Sequence, residues 1–540
     1  MTIHVIGYDV GTTGIKTCLF EVSDTIRLVK SDALAYGLTI LDNGGAEQDL
    51  DEVWRAMCIT TKNVIRSSGI SSEQIQGISF CSQMQGLVLV DRDGRLVRPA
   101  MSYMDQRAAA QWGRGISNGL RIDGLNIRKL LTSLRYTGVV AASVKDPVWK
   151  YNWVKENEPD VYRQIHKWLD VKEYLIYKCT GRFVMTKDSA FGTMLYDIRK
   201  GENCFSQKMC RILGVDFSHM PEIVGSTEMV GFLTKDGAMQ LGLTQNTPVF
   251  GGGGDASLIG VGAGAAGMGQ THIYSGTSGW VSTVVDKHKV DLSAMIASIV
   301  GADDDSYNYF AELETAGKCL EWVKNHLALD EINIYLQKIC VSDSMESIHQ
   351  NLYDFMLEEI KDVPAGSNGV LFTPWLHGNR CPFEDVDARG MFFNISLENG
   401  KRDMIHAVLE GICFHLRWQL DSQQKKVKTS SVIRFVGGGA LAPLTCQILA
   451  DIVNCEIETV ENPQNVGAYG AAVVAAVGLG VIGKIQDANH LIQANCRYSP
   501  NPANRQVYER NYEAFRLLYR RNKSIFHLLN QRTGGSYGTQ

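Results

Sequence analysis

The sequence predicts an α/β protein made of two related lobes. The strongest observation is a repeated unit. Residues 3–8 read as a strand, Asp9-Val10-Gly11-Thr12-Thr13-Gly14 as a tight turn, and residues 15–20 as a second strand. Residues 271–274, Ser275-Gly276-Thr277-Ser278-Gly279 and residues 280–285 repeat that order in the second half. One such unit per half implies duplicated lobes. A second observation is the apolar strand at 432–436, which runs through Gly437-Gly438-Gly439-Ala440 into a helix from Pro443 to Val453. The third is the central run PVFGGGGDAS, residues 248–257, four glycines and then Asp255. It sets the expected organisation: a lobe at 1–248, a lobe at 249–490, and a helical extension and tail at 491–540.

Composition narrows the function. The chain of 540 residues is 45% hydrophobic and 21% charged, ordinary for a globular protein with large cores. Net charge is −5 and no basic block stands out, which argues against a nucleic-acid or membrane-surface partner. The start, MTIHVIGYDVG, lacks the basic and apolar regions of a secretion signal. No apolar run reaches the ~18 residues of a membrane span. The 13 cysteines are scattered without a CxxC pair, and the 12 histidines are equally dispersed. Neither a disulfide framework nor a zinc site is expected, and reduced thiols in a cytoplasmic protein are.

Taken in order, the first turn offers free amides and the hydroxyls of Thr12 and Thr13, which suits a phosphate. Lys16 follows, but the Walker A spacing is absent throughout. Asp9, at a strand end, could hold a metal ion or a water, or simply bond turn amides. Residues 51–66 carry a helical apolar stripe that belongs to a core. Strands are expected at 75–81 and 87–90. Between them lies Ser82-Gln83-Met84-Gln85-Gly86, where an amide offers a sugar hydroxyl both donor and acceptor. Residues 103–107 are expected to open a polar helix, with Asp105 as its cap or as a polyol ligand.

Residues 110–200 read as mostly helical, with a strand at 183–185. Lys172, Asp188 and Thr193 have no role that pattern assigns. Residues 230–243 read as a linker with a short helix. Asp255 leaves the glycine run well placed to touch a ligand, the alternative being a flexible turn with a solvated acid. Gly262, Gly264 and Gly267 spell GxGxxG, but no ribose-binding acid follows in a βαβ context, so close packing is the better reading. A helix is expected at 319–327 with Trp322 buried, a polar surface segment at 340–368, and an aromatic, Pro-punctuated loop at 372–382. An amphipathic helix at 404–420 carries His406 and His415 as structural residues. The glycines at 437–439 would let an adenosine lie against the backbone, facing a helix N-terminus. A strand follows at 455–460, then a tightly packable helix from Gly467. Residues 534–540 read as a frayed tail.

Together DVGTTGIK, GGGGDAS, YSGTSG and VGGGA…LAD resemble, in order, the FGGY family of carbohydrate kinases, and within it most nearly the xylulokinases. The resemblance runs to about residue 520. It implies two actin-like (ribonuclease H-like) domains with ATP and sugar in an interdomain cleft. It implies Asp255 as catalytic base and a substrate contact, and Asp9 as the acid near Mg²⁺. Gly11, Thr12 and Thr13 become the first phosphate turn, Gly276 and Thr277 the second, and Gly438, Gly439 and Ala440 the adenosine turn. Gln83, Met84 and Asp105 fall on the sugar side. The implied reaction is ATP-dependent phosphorylation of D-xylulose to D-xylulose 5-phosphate, with another ketose, or a polyol such as glycerol or erythritol, as alternatives. An actin-like ATPase without an acceptor is a further alternative, and a homodimer is a family-level expectation. Gln85, Tyr103 and Asn379 stand where xylulokinases usually carry His, Trp and Glu, which leaves the exact sugar open.

Overall fold

The computed structural model describes residues 2–118, 121–122, 125–303, 305–327 and 352–530. The polar segment expected at 340–368 lies outside the described residues as far as 351, as does the tail at 534–540.

The first lobe begins with β1 (Ile3–Val10), β2 (Gly14–Val22) and β3 (Ile26–Ala35), an antiparallel meander. α1 (Leu50–Ser68) crosses to β4 (Ile75–Ser82), which lies parallel to β1 on its other side. α2 (Val171–Thr180), β5 (Val184–Thr186) and α3 (Lys187–Gly192) lead to β6 (Met229–Phe232) and β7 (Pro248–Phe250). The sheet order is β6-β7-β4-β1-β2-β3, and Gly253–Gly254 also pairs with β4. α4 (Asp255–Gly262) follows.

The second lobe repeats this plan. β8 (Thr271–Ser275) and β9 (Gly279–Val285) form the second hairpin, followed by β10 (Val290–Asp291), β11 (Ile296–Val300) and β12 (Tyr307–Leu313). After α5 (Gly317–His326) and α6 (Lys401–Gln424), β13 (Val432–Val436) lies parallel to β8. α7 (Pro443–Val453), β14 (Glu456–Val460) and α8 (Val466–Gly478) complete the repeat. β15 (Ala494–Tyr498) and α9 (Arg505–Asn530) close the described chain. The order β10-β11-β12-β9-β8-β13-β14-β15 contains β12-β9-β8-β13-β14. That segment matches β3-β2-β1-β4-β7 strand for strand, three antiparallel strands and then two parallel ones. The duplication expected from the two hairpins is therefore a duplication of the whole sheet plan.

α4 and α8 occupy equivalent places, each after the fifth strand of its lobe, and they pack on each other. A Cβ on Gly262 would run into the Val466 carbonyl, and one on Gly470 into that of Leu258. Close packing is thus what the GxGxxG letters encode. The core around these helices draws residues from both lobes, including Val5, Phe250, Leu258, Trp280, Val466 and Ala472. Phe20 and Tyr469 meet across it at 4.5 Å between ring centroids, a contact type worth about 0.5–1.5 kcal/mol beyond area burial. Each lobe keeps a further core on the outer face of its sheet, around Tyr8, Val53 and Trp54 in the first and around Ile273, Leu409 and Phe435 in the second. Among the described residues no helix is long and apolar enough to cross a membrane.

Several expectations need correction. The stretch at 230–243 has the expected short helix, Lys235–Leu241, but it is no linker, because β6 at its start pairs antiparallel with β7. The lobe boundary placed at 248/249 falls inside β7, a strand of the first sheet, and the chain leaves that sheet only after Gly254. Residues 103–107 do not open a helix. The local donors bond back to the turn instead, Asp105 N to Ser102 O at 3.1 Å and Arg107 N to Asp105 Oδ1 at 3.1 Å, and the helix starts at Ala109. Trp322 is half-buried rather than buried.

Candidate active site

Strand register brings the two key acids together. Asp9 pairs with Cys81 of β4, and Gly253 pairs with the same residue from the other side. Asp9 and Gly253 are therefore two strand spacings apart, about 10 Å. Asp255 lies two residues further on, at the first position of α4. Gln83 follows β4 directly and donates its N–H to Val10 O at 2.8 Å. Asp9, Gln83 and Asp255 thus share the carboxyl edge of the parallel strands, where open α/β sheets bind ligands.

The glycine run is a packed passage, which disposes of the flexible-turn alternative. Gly252 has φ +69° and stands against the Phe80 carbonyl. A Cβ on Gly254 would collide with the Met84 side chain, which covers this backbone. Met84 is in this way fixed beside Asp255. The Asp255 carboxylate accepts from Ala256 N at 2.8 Å. Burial pushes its pKa up to about 7; the Ala256 N–H lowers it, and the charges of Asp9, Glu312 and Asp188 raise it. Burial likewise holds the Asp9 carboxyl above its usual range, against the pull of Lys16, whose Nζ lies 3.9 Å away.

Both hairpin turns have the predicted form. Gly11 N bonds Gly14 O at 2.9 Å, and Gly276 N bonds Ser278 O at 2.9 Å. Thr13 and Thr277 are exposed at the tips, and Thr12 is half-buried. In register, Tyr274 is the counterpart of Asp9, so the acid belongs to one lobe only. Burial raises the Tyr274 hydroxyl pKa, and the charges of Asp9 and Asp255 add to the shift. The third turn begins at Gly437, φ +92°, whose N–H bonds Pro463 O at 2.8 Å. Gly438 is exposed with nothing within 4 Å of a Cβ built there, Gly439 is half-buried, and Ala440 is buried. Lys16 Nζ reaches Gln464 O at 2.6 Å and so joins the first turn to the second lobe.

The sugar-side residues are placed unequally. Gln83 is buried; its Nε2 donates to Gln48 Oε1 at 3.1 Å, while its Oε1 has no partner among the described residues. Gln48 in turn donates to Thr12 O at 2.7 Å, tying the Gln83 amide to the first hairpin turn. Tyr103 bonds Thr12, and its hydroxyl pKa is raised by burial and by Asp255, Glu312 and Glu314. Asp105 is fully buried, and its oxygens are taken by Ala46 N at 2.8 Å and by the Arg107 guanidinium at 2.8 Å. Its direct partners are therefore protein groups. Gln85 has φ +63°, and Lys150 Nζ holds both the Gln85 and Ser102 carbonyls at 2.8 Å.

Sequence reasoning missed Gln48, Lys150, Tyr274 and Glu312. Only Tyr274 left a signal, its alignment with Asp9 when the two hairpins are superimposed.

The comparisons agree with this geometry. Residues 4–262 match the N-terminal domain of the FGGY family of carbohydrate kinases, and residues 272–479 its C-terminal domain. A xylulose kinase of Lactococcus lactis subsp. lactis is 30% identical over 528 residues, 95% of this chain and 96% of the relative. The structure of a ligand-bound xylulose kinase from Lactobacillus acidophilus is similar with a TM-score of 0.83 at 25% identity, covering 97% of this chain and 99% of that one. A gluconate kinase structure from the same organism gives 0.82 at 25% identity, covering 98% and 100%. The two sheets of one plan, the acids on one strand edge and the match of both domains in order lead to one conclusion: the chain belongs to the FGGY family of carbohydrate kinases and is an ATP-dependent sugar kinase.

Proposed function

We propose that the protein transfers the γ-phosphoryl group of ATP to a hydroxyl of a neutral ketose, with D-xylulose giving D-xylulose 5-phosphate as the leading case. The observation that carries the reading is a shared strand edge: Gly254 pairs with Ser82, so Asp255 and Gln83 each follow directly on that pair, and burial pushes the Asp255 pKa up to about 7. Asp255 takes the proton of the attacking hydroxyl as the new O–P bond forms and the bond to the ADP oxygen breaks. A base ionising near the working pH contributes roughly 10²–10⁴-fold. The amides of the Gly11 and Gly276 turns cradle the phosphates, and the open Gly438 turn takes the adenosine. Alignment of the two substrates is the larger effect, up to about 7–11 kcal/mol.

Asp9 fits a divalent cation. It is a hard oxygen donor, held above its usual pKa by burial, beside a phosphate turn. Among the described residues no group of three acidic, His or Cys side chains forms a closed metal cage. That suits Mg²⁺, which takes one or two carboxylates and completes its shell with water and phosphate oxygens. When bound, the ion neutralises charge on the β- and γ-phosphates.

A neutral acceptor is favoured over an aldonate by charge. Arg107, Lys145 and Arg380 are each paired with a carboxylate, at 2.8 Å to Asp105, 3.6 Å to Glu314 and 2.7 Å to Glu312, and Lys150 is held by two carbonyls. The test is magnesium-dependent ADP release across ketoses, polyols and gluconate. Turnover led by D-xylulose supports the proposal. Turnover led by gluconate overturns the neutral-acceptor reading, and ADP release independent of any acceptor overturns the transfer reading.

A further inference from the structure

Two of the polar residues that pattern could not assign, Lys172 and Asp188, converge on the turn that carries Asp255. Asp188 is buried at the start of α3, and its carboxylate receives four donors. On one oxygen they are Gly254 N at 2.6 Å and the Ser257 hydroxyl. On the other they are the Thr186 hydroxyl at 2.5 Å and Ser189 N at 2.9 Å. Thr186 Oγ1 is itself held by Lys172 Nζ at 2.7 Å, and Lys172 is paired with its neighbour Glu173. Lys172, Glu173, Thr186, Asp188, Ser189 and Ser257 are all buried. The third unassigned residue, Thr193, bonds locally, donating to Ala190 O and accepting from Leu195 N.

The anchors bracket the base. Gly254 is the residue before Asp255, and Ser257 is two residues after it. Among the described residues, the Asp255 side chain has one hydrogen bond of its own, accepted from Ala256 N within the same bracket. We propose that Asp188 is the positioning residue of the catalytic base: by clamping Gly254 and Ser257 it sets where the Asp255 carboxylate stands over the acceptor hydroxyl, and the Lys172–Thr186 contact holds the clamp in place. This rests on reading Asp255 as the base. Asp188 acts through the backbone on either side of Asp255, and its charge also helps raise the Asp255 pKa. A misplacement of about 1 Å at a reacting group costs on the order of 10²-fold in rate.

Asp188→Asn is the informative variant. The amide keeps the shape but accepts at one end only, so two of the four donors lose their partner. Ser257→Ala removes one clamp and adds no competing donor. Steady-state kinetics with the best acceptor, with thermal midpoints recorded alongside, should show kcat of Asp188→Asn down about 10–10²-fold, with KM for acceptor and ATP within about threefold of wild type. Ser257→Ala should show a smaller loss of kcat with the same unchanged KM values. The double variant should be no worse than Asp188→Asn, because both act on one turn. Unchanged kcat in folded Asp188→Asn overturns the proposal, as does a loss in which KM rises in step with the fall in kcat/KM. If Asp188→Asn does not fold, Ser257→Ala decides, and wild-type kcat there overturns it. If instead Asp255→Asn retains turnover, the base assignment fails, a result separate from these.

Discussion

Gly467, in the first turn of α8, stands so close to Asp9 that a Cβ built on it would lie 2.8 Å from the Asp9 carboxyl carbon. A helix of the second lobe's repeat thus abuts the strand-end acid of the first. Gly467→Ala should favour the helix itself, by up to about 1 kcal/mol. It should nevertheless push Asp9 aside. The expected outcome is a kcat loss of about tenfold or more and a raised magnesium requirement, without loss of thermal stability. Magnesium titrations of turnover would check it, and wild-type magnesium dependence would refute the contact.

The pH profile follows from Asp255. Burial, opposed by the Ala256 N–H and aided by Asp9, Glu312 and Asp188, sets its pKa at about 7. The base works ionised, so kcat/KM should fall about tenfold per unit below that pH. Glu312→Gln removes one of the like charges and should move this acid limb to lower pH. A limb that stays in place would show that Glu312 does not act on the base.

The same shift has a stability consequence. A carboxyl raised in the folded state costs no stability below its unfolded pKa, near 4, where both states are protonated. The cost grows between about 4 and about 7, where the unfolded carboxyl ionises and the folded one keeps its proton, and it is complete above about 7, where folding holds the charge in a place that disfavours it. Asp255→Asn should therefore raise the thermal midpoint at pH 8, and the gain should vanish toward pH 4. An equal shift at both values would contradict the linkage.

Gln83 offers a buried Oε1 with no partner among the described residues. Leaving a buried polar group unpaired costs about 1–3 kcal/mol, which an acceptor hydroxyl would relieve. Gln83→Leu should raise acceptor KM by about 5–150-fold and leave ATP KM unchanged. A rise in ATP KM instead would place Gln83 on the nucleotide side.

What the sequence determined was local. The hairpins at Asp9–Gly14 and Ser275–Gly279, the strand and glycine turn before Pro443, and the stiff small-residue helix at Gly467 all depend on neighbours within a few residues. Backbone sterics and alternating apolar positions announce such elements directly. Asp255 was legible for the same reason, as the acid at the exit of four glycines. Its chemistry was not. The pKa near 7 comes from burial and from acids on distant elements, and the proposed placement comes from Asp188, 67 residues earlier in the chain. Met229–Phe232 read as a linker because its partner strand is Pro248–Phe250 and its apolar pattern is weak. Asp105 offered the letters of a cap or a ligand, yet Arg107 and Ala46 claim its oxygens. Pattern shows which residues can form an element or carry a charge. Which polar group meets which across the fold is settled by register and burial, because an unpaired buried charge is too costly to leave, and that pairing exists only once the two sheets are assembled.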